Sequence, residues 1–360
     1  MKKIKESFNF NDIKQEHNVY DIVESAIYDV IFKKLLNQEN LTDIEQKALS
    51  RNAKKGYPYK YKVKDHDELH NITRNLKNYD LDLNWLDVSQ VTDMSDIFMG
   101  SKFQGKIDQW DVSNVTNMSD MFYSSRFNGD ISKWNVSNVK NMCAMFGSSW
   151  FKGDISKWDV SHVEDMDNMF DNSQFDGDIK NWDVSHVTSM QAMFRNSHFK
   201  GDISKWNVSR VVRFMAMFKS AEFNGDISKW NVGRGEVFSF MFAESKYNQP
   251  IGDWDMSNAE ELSNMFAYNT MFNQDIGKWN VSHVTHFNNM FSNSNFNRPI
   301  GDWDVSSAIT TKSMFYNALN FKQDLSKWNL PENVLCENMF YNCILPDRSY
   351  YPKIIQERYL

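Results

Sequence analysis

Residues 129–151 read GDISKWNVSNVKNMCAMFGSSWF, and most of the chain is a set of variations on that line. Trp110, Trp134, Trp158, Trp182, Trp206, Trp230, Trp254, Trp279, Trp303 and Trp328 follow one another at steps of 24 or 25 residues. The phenylalanine of the Met-Phe pair keeps the same register at Phe98, Phe122, Phe146, Phe170, Phe194, Phe218, Phe242, Phe266, Phe291, Phe315 and Phe340. Around these, Ile131, Val136, Val139, Met142, Met145, Ser149 and Phe151 mark further columns of apolar or small residues. The two longer steps take their extra residue between Met-Phe and the next Phe, as loop insertions do. One step upstream, Leu86 continues the tryptophan column, so Trp85 falls off it and is expected to be partly exposed.

Such a unit cannot bury its own apolar face and becomes stable only when neighbours cover both sides. Ile131-x-x-Trp134-x-Val136 carries β-favouring residues with alternation at its end, which predicts a short strand. Val139, Met142, Met145 and Phe146 recur at i, i+3, i+6 and i+7, the spacing of a helical or 3₁₀ return. Gly129-Asp130 supplies the corner. The expected fold is a repeat solenoid, leucine-rich-repeat-like, of short parallel strands with turn or helix returns. Eleven coils at the spacing of paired strands make a stack roughly 50 Å long.

The pattern G-D-I-S-x-W-x-V-S-x-V-x-x-M-x-x-M-F-x-x-S-x-F resembles the BspA-type bacterial surface protein repeat, a divergent leucine-rich repeat family. The family's small Cys or Ser corresponds to the Ser149 column, and the resemblance runs over residues 81–345. It implies a module for protein binding or adhesion without enzymatic activity. Related repeats in large viruses and phages add a virion or cell-surface component, in which the rod itself is the function, as the alternative.

The rest of the sequence narrows the function by exclusion. A net charge of −7 repels a nucleic-acid backbone. No apolar run approaches the ~20 residues of a membrane helix. The N-terminal MKKIKESFNFNDIK has basic residues with no apolar stretch behind them, unlike a secretory signal. Cys143, Cys336 and Cys343 form neither a paired framework nor a CxxC site. These features make a reduced, cytoplasmic protein the default expectation, with a virion-associated or cell-surface location as the alternative that the resemblance offers. There is no phosphate loop, G-x-S-x-G elbow or H-E-x-x-H, and the acids recur in every repeat where catalysis needs one singular constellation. No catalytic residue and no cofactor are expected.

Residues 1–80 are expected to form a mainly helical cap or docking region, 81–345 the array, and 346–360 a C-terminal cap. Val19, Ile22, Val23, Ala26, Ile27, Val30, Ile31 and Leu35 make one apolar stripe at helical spacing. Thr42 with Glu45 is a capping box for a second helix ending near Lys55-Gly56. Tyr57 to Val63 alternates like a strand, and Asp67 opens a third, short helix.

Two surfaces offer binding residues for a protein partner. On the strand face, Lys133, Asn135, Lys157, Asp159, Asp183 and Lys205 flank the tryptophans and point outward, a periodic groove suited to a glycan or an extended peptide. The plainer account of that face is a solvated ladder of Asn bonds and Lys–Asp pairs, each worth only ~0.2–1 kcal/mol. The second surface is the variable edge ahead of each later Phe: Lys102, Arg126, Trp150, Gln174, His198, Glu222, Lys246, Thr270, Asn295 and Leu319. There Trp150, with Arg126 and Tyr123, has the residue types of an interface anchor. His162 and His186 share a column without a third ligand, so no zinc site is expected. The Gly-Asp corners lack the extra carboxylates of a calcium shell, which leaves Asp130 and its equivalents to cap the turn.

Overall fold

The protein was analysed as a computed structural model describing residues 16–37, 39–76 and 79–359. Each repeat is one coil, laid in parallel on the next. Isolated parallel bridges run without a break from Asp93↔Asn117 to Thr310↔Leu335.

One coil shows how its sequence closes the path. At the corner, Asp130 Oδ1 accepts from the Ser132 amide at 2.9 Å. The chain then turns twice, Trp134 N–H donating to the Ile131 carbonyl at 3.1 Å and Val139 N–H to the Val136 carbonyl at 2.9 Å. Along Met142–Ser149 the amides alternate. Met142, Ala144, Phe146 and Ser148 donate to Asp165, Asp167, Met169 and Asp171 of the next coil at 2.7–3.0 Å. Met145, Gly147 and Ser149 instead close turns onto Met142, Ala144 and Phe146 at 2.9–3.2 Å. Ala144 and Ser148 hold φ of 52° and 53°, and their columns keep the same left-handed backbone in coil after coil. Asn, Asp, Ser and Ala fill most of those positions; the short polar side chains of Asn and Asp tolerate this region best.

This corrects the expected placement of strand and return. Ile131–Val136 is a pair of turns rather than a strand, and the parallel pairing falls on the segment expected to be helical or 3₁₀. The i→i+3 turns leave the same spacing of apolar residues as a helix would. Inter-coil bonding gives the segment the alternation of a sheet edge, without extended dihedrals. The described strands are only β1 (Tyr61–Lys62) and β2 (Leu86–Asp87), paired in parallel.

Stacked columns of apolar side chains fill the interior, and two of them show how the coils are joined. The phenylalanines from Phe98 to Phe340 form an unbroken stack, ring centroids 5.3–5.9 Å apart and planes within 14°. Each tryptophan of the repeated column, from Trp110 to Trp328, lays its ring in the core and donates its indole N–H to a carbonyl of the preceding coil, Trp134 to Ile107 at 3.2 Å and Trp206 to Ile179 at 3.1 Å. Trp is suited to this column because it couples a large apolar body to a terminal donor. The corner glycine is equally constrained: a Cβ on Gly129 would stand 2.8 Å from the Phe127 ring.

The ends are closed by different means. Helices α1 (Glu16–Leu36), α2 (Asp43–Lys54) and α3 (His66–Arg74) precede the stack. The capping box at Thr42 is present, with Glu45 Oε2 accepting from Thr42 N–H at 2.7 Å. Lys34 binds the same carboxyl at 2.7 Å, and its hydrogen bond is the largest cause holding Glu45 down at about 2. α3 starts one residue before Asp67, with Asp65 as its N-cap. It lies along the first coil, where Thr73 Oγ1 donates to the Ile97 carbonyl at 2.8 Å and His66 Nε2 to that of Ser95 at 3.0 Å. At the far end, the Tyr350 carbonyl accepts from Leu325 N–H at 2.8 Å and Tyr351 Oη from Leu345 N–H at 2.9 Å. Helix α4 (Lys353–Tyr359) follows.

Two expectations about the N-terminal end need correction. Leu86 is buried in the inward column, but Trp85 is also buried, at 2 % exposure, because the cap covers it. Its ring stacks on Phe32 with centroids 5.1 Å apart. The repeat register therefore holds while the exposure does not. On α1 the buried face is Tyr28, Ile31 and Phe32, whereas Ile27 and Val30, both in the expected stripe, are 45 % and 51 % exposed. The side chains of Val19, Ile22 and Val23 lie outside the described residues, as does the segment 1–15.

Because each coil touches only its neighbours, the cost of a cavity should depend on position. Phe194→Ala removes a fully buried ring between two others and should cost ~3–5 kcal/mol, splitting the urea transition. Phe340, half-buried under Tyr351, should on truncation fray only the last coil. Equal shifts of one sharp transition by both variants would contradict nearest-neighbour stacking.

Candidate functional site

The columns beside each tryptophan turn out to be structural. Asn135 Oδ1 accepts from the Ser137 amide at 3.2 Å and hydroxyl at 2.8 Å. Asp159 takes the Ser161 amide and hydroxyl at 3.1 and 2.6 Å, and Asp183 takes the Ser185 amide at 3.0 Å. Bonds from the serine hydroxyls are the largest cause holding both aspartates below the usual carboxylate range. These are turns closed within one coil in place of the expected Asn ladder, and of the expected Lys–Asp pairs Lys327 with Asp302, at 2.7 Å, joins neighbouring coils. Lys133, Lys157 and Lys205 stand exposed at the adjoining turn. Their charge adds to the serine hydrogen bonds that lower Asp130, Asp154 and Asp202.

On the variable edge the structure brings Arg126 and Trp150 together. The guanidinium carbon stands 5.1 Å from the Trp150 ring centroid, and Trp150 is 58 % exposed. Such a contact at an exposed site is worth about 0.5–1 kcal/mol. Tyr123 belongs to a neighbouring column, where its ring lies over Gly147; a Cβ there would meet it at 2.9 Å. The expected edge column needs one amendment. Asn320 continues it by donating to Asn295 Oδ1 at 2.9 Å, while the inserted Leu319 bulges outward at 66 % exposure.

The outward side chains of the Met142–Ser149 ladder also change from repeat to repeat, beside the variable edge. Asp167 Oδ1 accepts from the Ser189 hydroxyl at 2.5 Å and the Gln191 amide at 2.7 Å, and its Oδ2 from Gln191 Nε2 at 2.8 Å. Arg213 Nε reaches Ser189 Oγ at 3.3 Å, so the network spans three coils. Arg195 binds Asp171 through two bonds of 2.8 and 2.5 Å. Farther along, Tyr316 and Tyr341 stack at 4.9 Å. Of the exposed large apolar residues of the stack, Met99, Trp150, Met215, Tyr268, Met271, Leu319, Leu335, Tyr341 and Ile344 lie on this ladder or the edge beside it, while Ile309 stands in the column of Thr188 and Val212. The signal was present as the changing residues between the two Met columns: Met-Asp-Asn-Met-Phe at 166–170, Met-Gln-Ala-Met-Phe at 190–194, Phe-Ser-Phe-Met-Phe at 238–242.

At the junction of α3 with the first coil is a cleft of about 540 Å³ lined by His70, Arg74, Tyr79, Asp96 and Lys102 among others. Asp96 Oδ1 lies 3.4 Å from His66 Nε2 and 3.6 Å from His70 Nε2. Burial works against protonation of His66, but its contacts to Ser95 and Asp67 outweigh this and raise it above the usual histidine range. No group of three or more His, Cys, Asp or Glu placed to hold a metal occurs among the described residues. Among those residues, no helix is long and apolar enough to cross a membrane.

Stacked coils of one repeating unit, with a constant core and changing outward side chains, define a tandem-repeat protein. The chain belongs to the family described as Mycoplasma protein of unknown function, DUF285, whose model matches at residues 67–179, 171–266 and 237–349. No curated protein and no solved structure matches it.

The Asp171–Arg195 pair makes a direct test of the ladder face. Asp171 is buried, so Arg195→Ala strands its carboxylate and should cost about 1–3 kcal/mol. Arg195→Ala combined with Asp171→Ala should recover part of that loss in thermal unfolding. A single variant as stable as the parent would show the pair to be incidental.

Proposed function

We propose that the chain is a leucine-rich-repeat-like solenoid acting as a non-enzymatic recognition module that binds a protein partner through its ladder face and variable edge. The observation that carries this reading is that the exposed large apolar side chains of the stack, Ile309 apart, lie along the ladder and the variable edge, where Arg126 stands over Trp150. Large apolar side chains gathered on one face mark interaction surfaces. The resemblance to BspA-type repeats, with their binding and adhesion roles, supports the same conclusion. A glycan along the tryptophan side is less favoured, since its Asp and Asn side chains are engaged in their own turns.

Leu319, Leu335, Tyr341 and Ile344 gather on the last coils, and this favours, as a second reading, a component of a virion or cell-surface assembly joined through that end. The two readings separate in solution. Affinity capture should recover one protein with the parent and with a Lys133→Ser, Lys157→Ser, Lys205→Ser variant. Trp150→Ala should reduce its recovery about tenfold or more, as for an interface anchor. Equal recovery by all three proteins would contradict the recognition reading, and light scattering that shows an ordered multimer would favour assembly.

A further inference from the structure

Side chains of α3 answer two ladder carbonyls of the first coil, and one of those side chains titrates near neutrality. Thr73 Oγ1 donates to the Ile97 carbonyl at 2.8 Å, and His66 Nε2 donates to the Ser95 carbonyl at 3.0 Å. The other ring nitrogen of His66, Nδ1, stands 3.3 Å from Asp67 Oδ1. His66 therefore has an acceptor at each nitrogen, and only the protonated ring carries two N–H donors. A neutral ring keeps the Ser95 bond only by turning a lone pair toward the Asp67 carboxylate.

The first coil supplies the matching charge. Asp96 holds φ of 54° at a left-handed position of the ladder. Its Oδ1 is enclosed and accepts no hydrogen bond, standing 3.4 Å from His66 Nε2 and 3.6 Å from His70 Nε2. At those separations charge, more than hydrogen bonding, answers the carboxylate. The two histidine rings stack 5.6 Å apart. On the α3 side the charged neighbours are Asp67, Asp65 and Lys64, the last two paired at 3.1 Å, while Glu68 is engaged by Tyr61 and the Lys64 amide. The first coil adds Asp93 and Asp96, and the second coil adds Asp120. Arg74 and Lys102 line the cleft that His70 also lines. Burial opposes charge on His66, yet the contacts to Ser95 and Asp67 and the fields of Asp93 and Asp96 hold it above the usual histidine range.

We propose that His66, set against Asp96 and Asp93, is a proton-operated latch that holds α3 on the first coil in mildly acid solution and slackens as the pH rises through neutrality. A histidine whose protonation is favoured by folding stabilises the folded arrangement below its unfolded value of about 6.5, and that contribution is lost as the pH rises through the higher folded value. Closed, the latch keeps the Ser95 and Ile97 carbonyls covered. Slack, it uncovers the end of the ladder at which a coil accepts amides. The latch lies at the cap and goes beyond the recognition reading, which concerns the ladder face and the variable edge.

The test follows amide hydrogen exchange of the full chain at about pH 5.5 and about pH 8, corrected for the intrinsic pH dependence of exchange. Protection of the Leu69 and Thr73 amides should fall about two- to fivefold over that range, the scale of a partly exposed charge pair, while that of Phe194 and Phe218 stays constant. His66→Gln keeps a donor for the Ser95 carbonyl without a titrating group, and should make the protection of α3 independent of pH. Asp96→Asn leaves the histidine in place and removes the charge, so the His66 ring protons should titrate at lower pH by NMR and the exchange response should shrink. If His66→Gln does not fold, the parent and Asp96→Asn decide alone. Flat α3 protection in the parent, an undiminished pH response in His66→Gln, or an unmoved His66 titration in Asp96→Asn overturns the latch.

Discussion

The amides of Met142, Ala144, Phe146 and Ser148 point out of their own coil and find acceptors only in the next one. A buried backbone amide without a partner is costly, so no coil is complete until another lies on it. The remaining framework serves that contact. The left-handed residues turn alternate amides toward the neighbour, the phenylalanine stack fills the space beneath, and the tryptophan indoles tie the opposite side to the coil before. Side chains pointing away from the ladder carry none of these duties, which leaves them free to differ.

The same directionality makes the two ends unlike. Ladder amides donate toward the C-terminal end, although amides flanking the ladder such as those of Lys140 and Trp150 donate to the coil before, so along the ladder the first coil offers carbonyls and the last offers amides. The cap at the first coil brings donors, Thr73 Oγ1 and His66 Nε2, to ladder carbonyls, while the closing segment accepts from Leu325 and Leu345 outside the ladder and donates through Arg358 to the Val334 carbonyl.

The periodic core was legible in the sequence because burial acts on residue identity, and Trp134, Phe146 and Phe151 keep theirs in coil after coil. Backbone conformation was less legible. A train of i→i+3 turns and a helix place Val139, Met142 and Met145 at the same spacing, and two successive turns give Ile131, Trp134 and Val136 the alternation of a strand. Trp85 was misjudged because its environment comes from Phe32, more than fifty residues away in sequence and outside the repeat. Of the candidate site, Trp150 and Arg126 stood out as residues that break a pattern. Asn135, Asp159 and Asp183 repeat too regularly to do so, and their turns with Ser137, Ser161 and Ser185 explain the regularity.

Amide hydrogen exchange followed residue by residue tests the stacking most directly. The account predicts that Met142, Ala144, Phe146, Ser148 and their equivalents in the central coils exchange most slowly, with Lys133, Asn135 and Val136 far ahead of them. Slow exchange along Ile131–Val136 together with fast exchange along Met142–Ser148 would put the inter-coil pairing beside the tryptophans and contradict it.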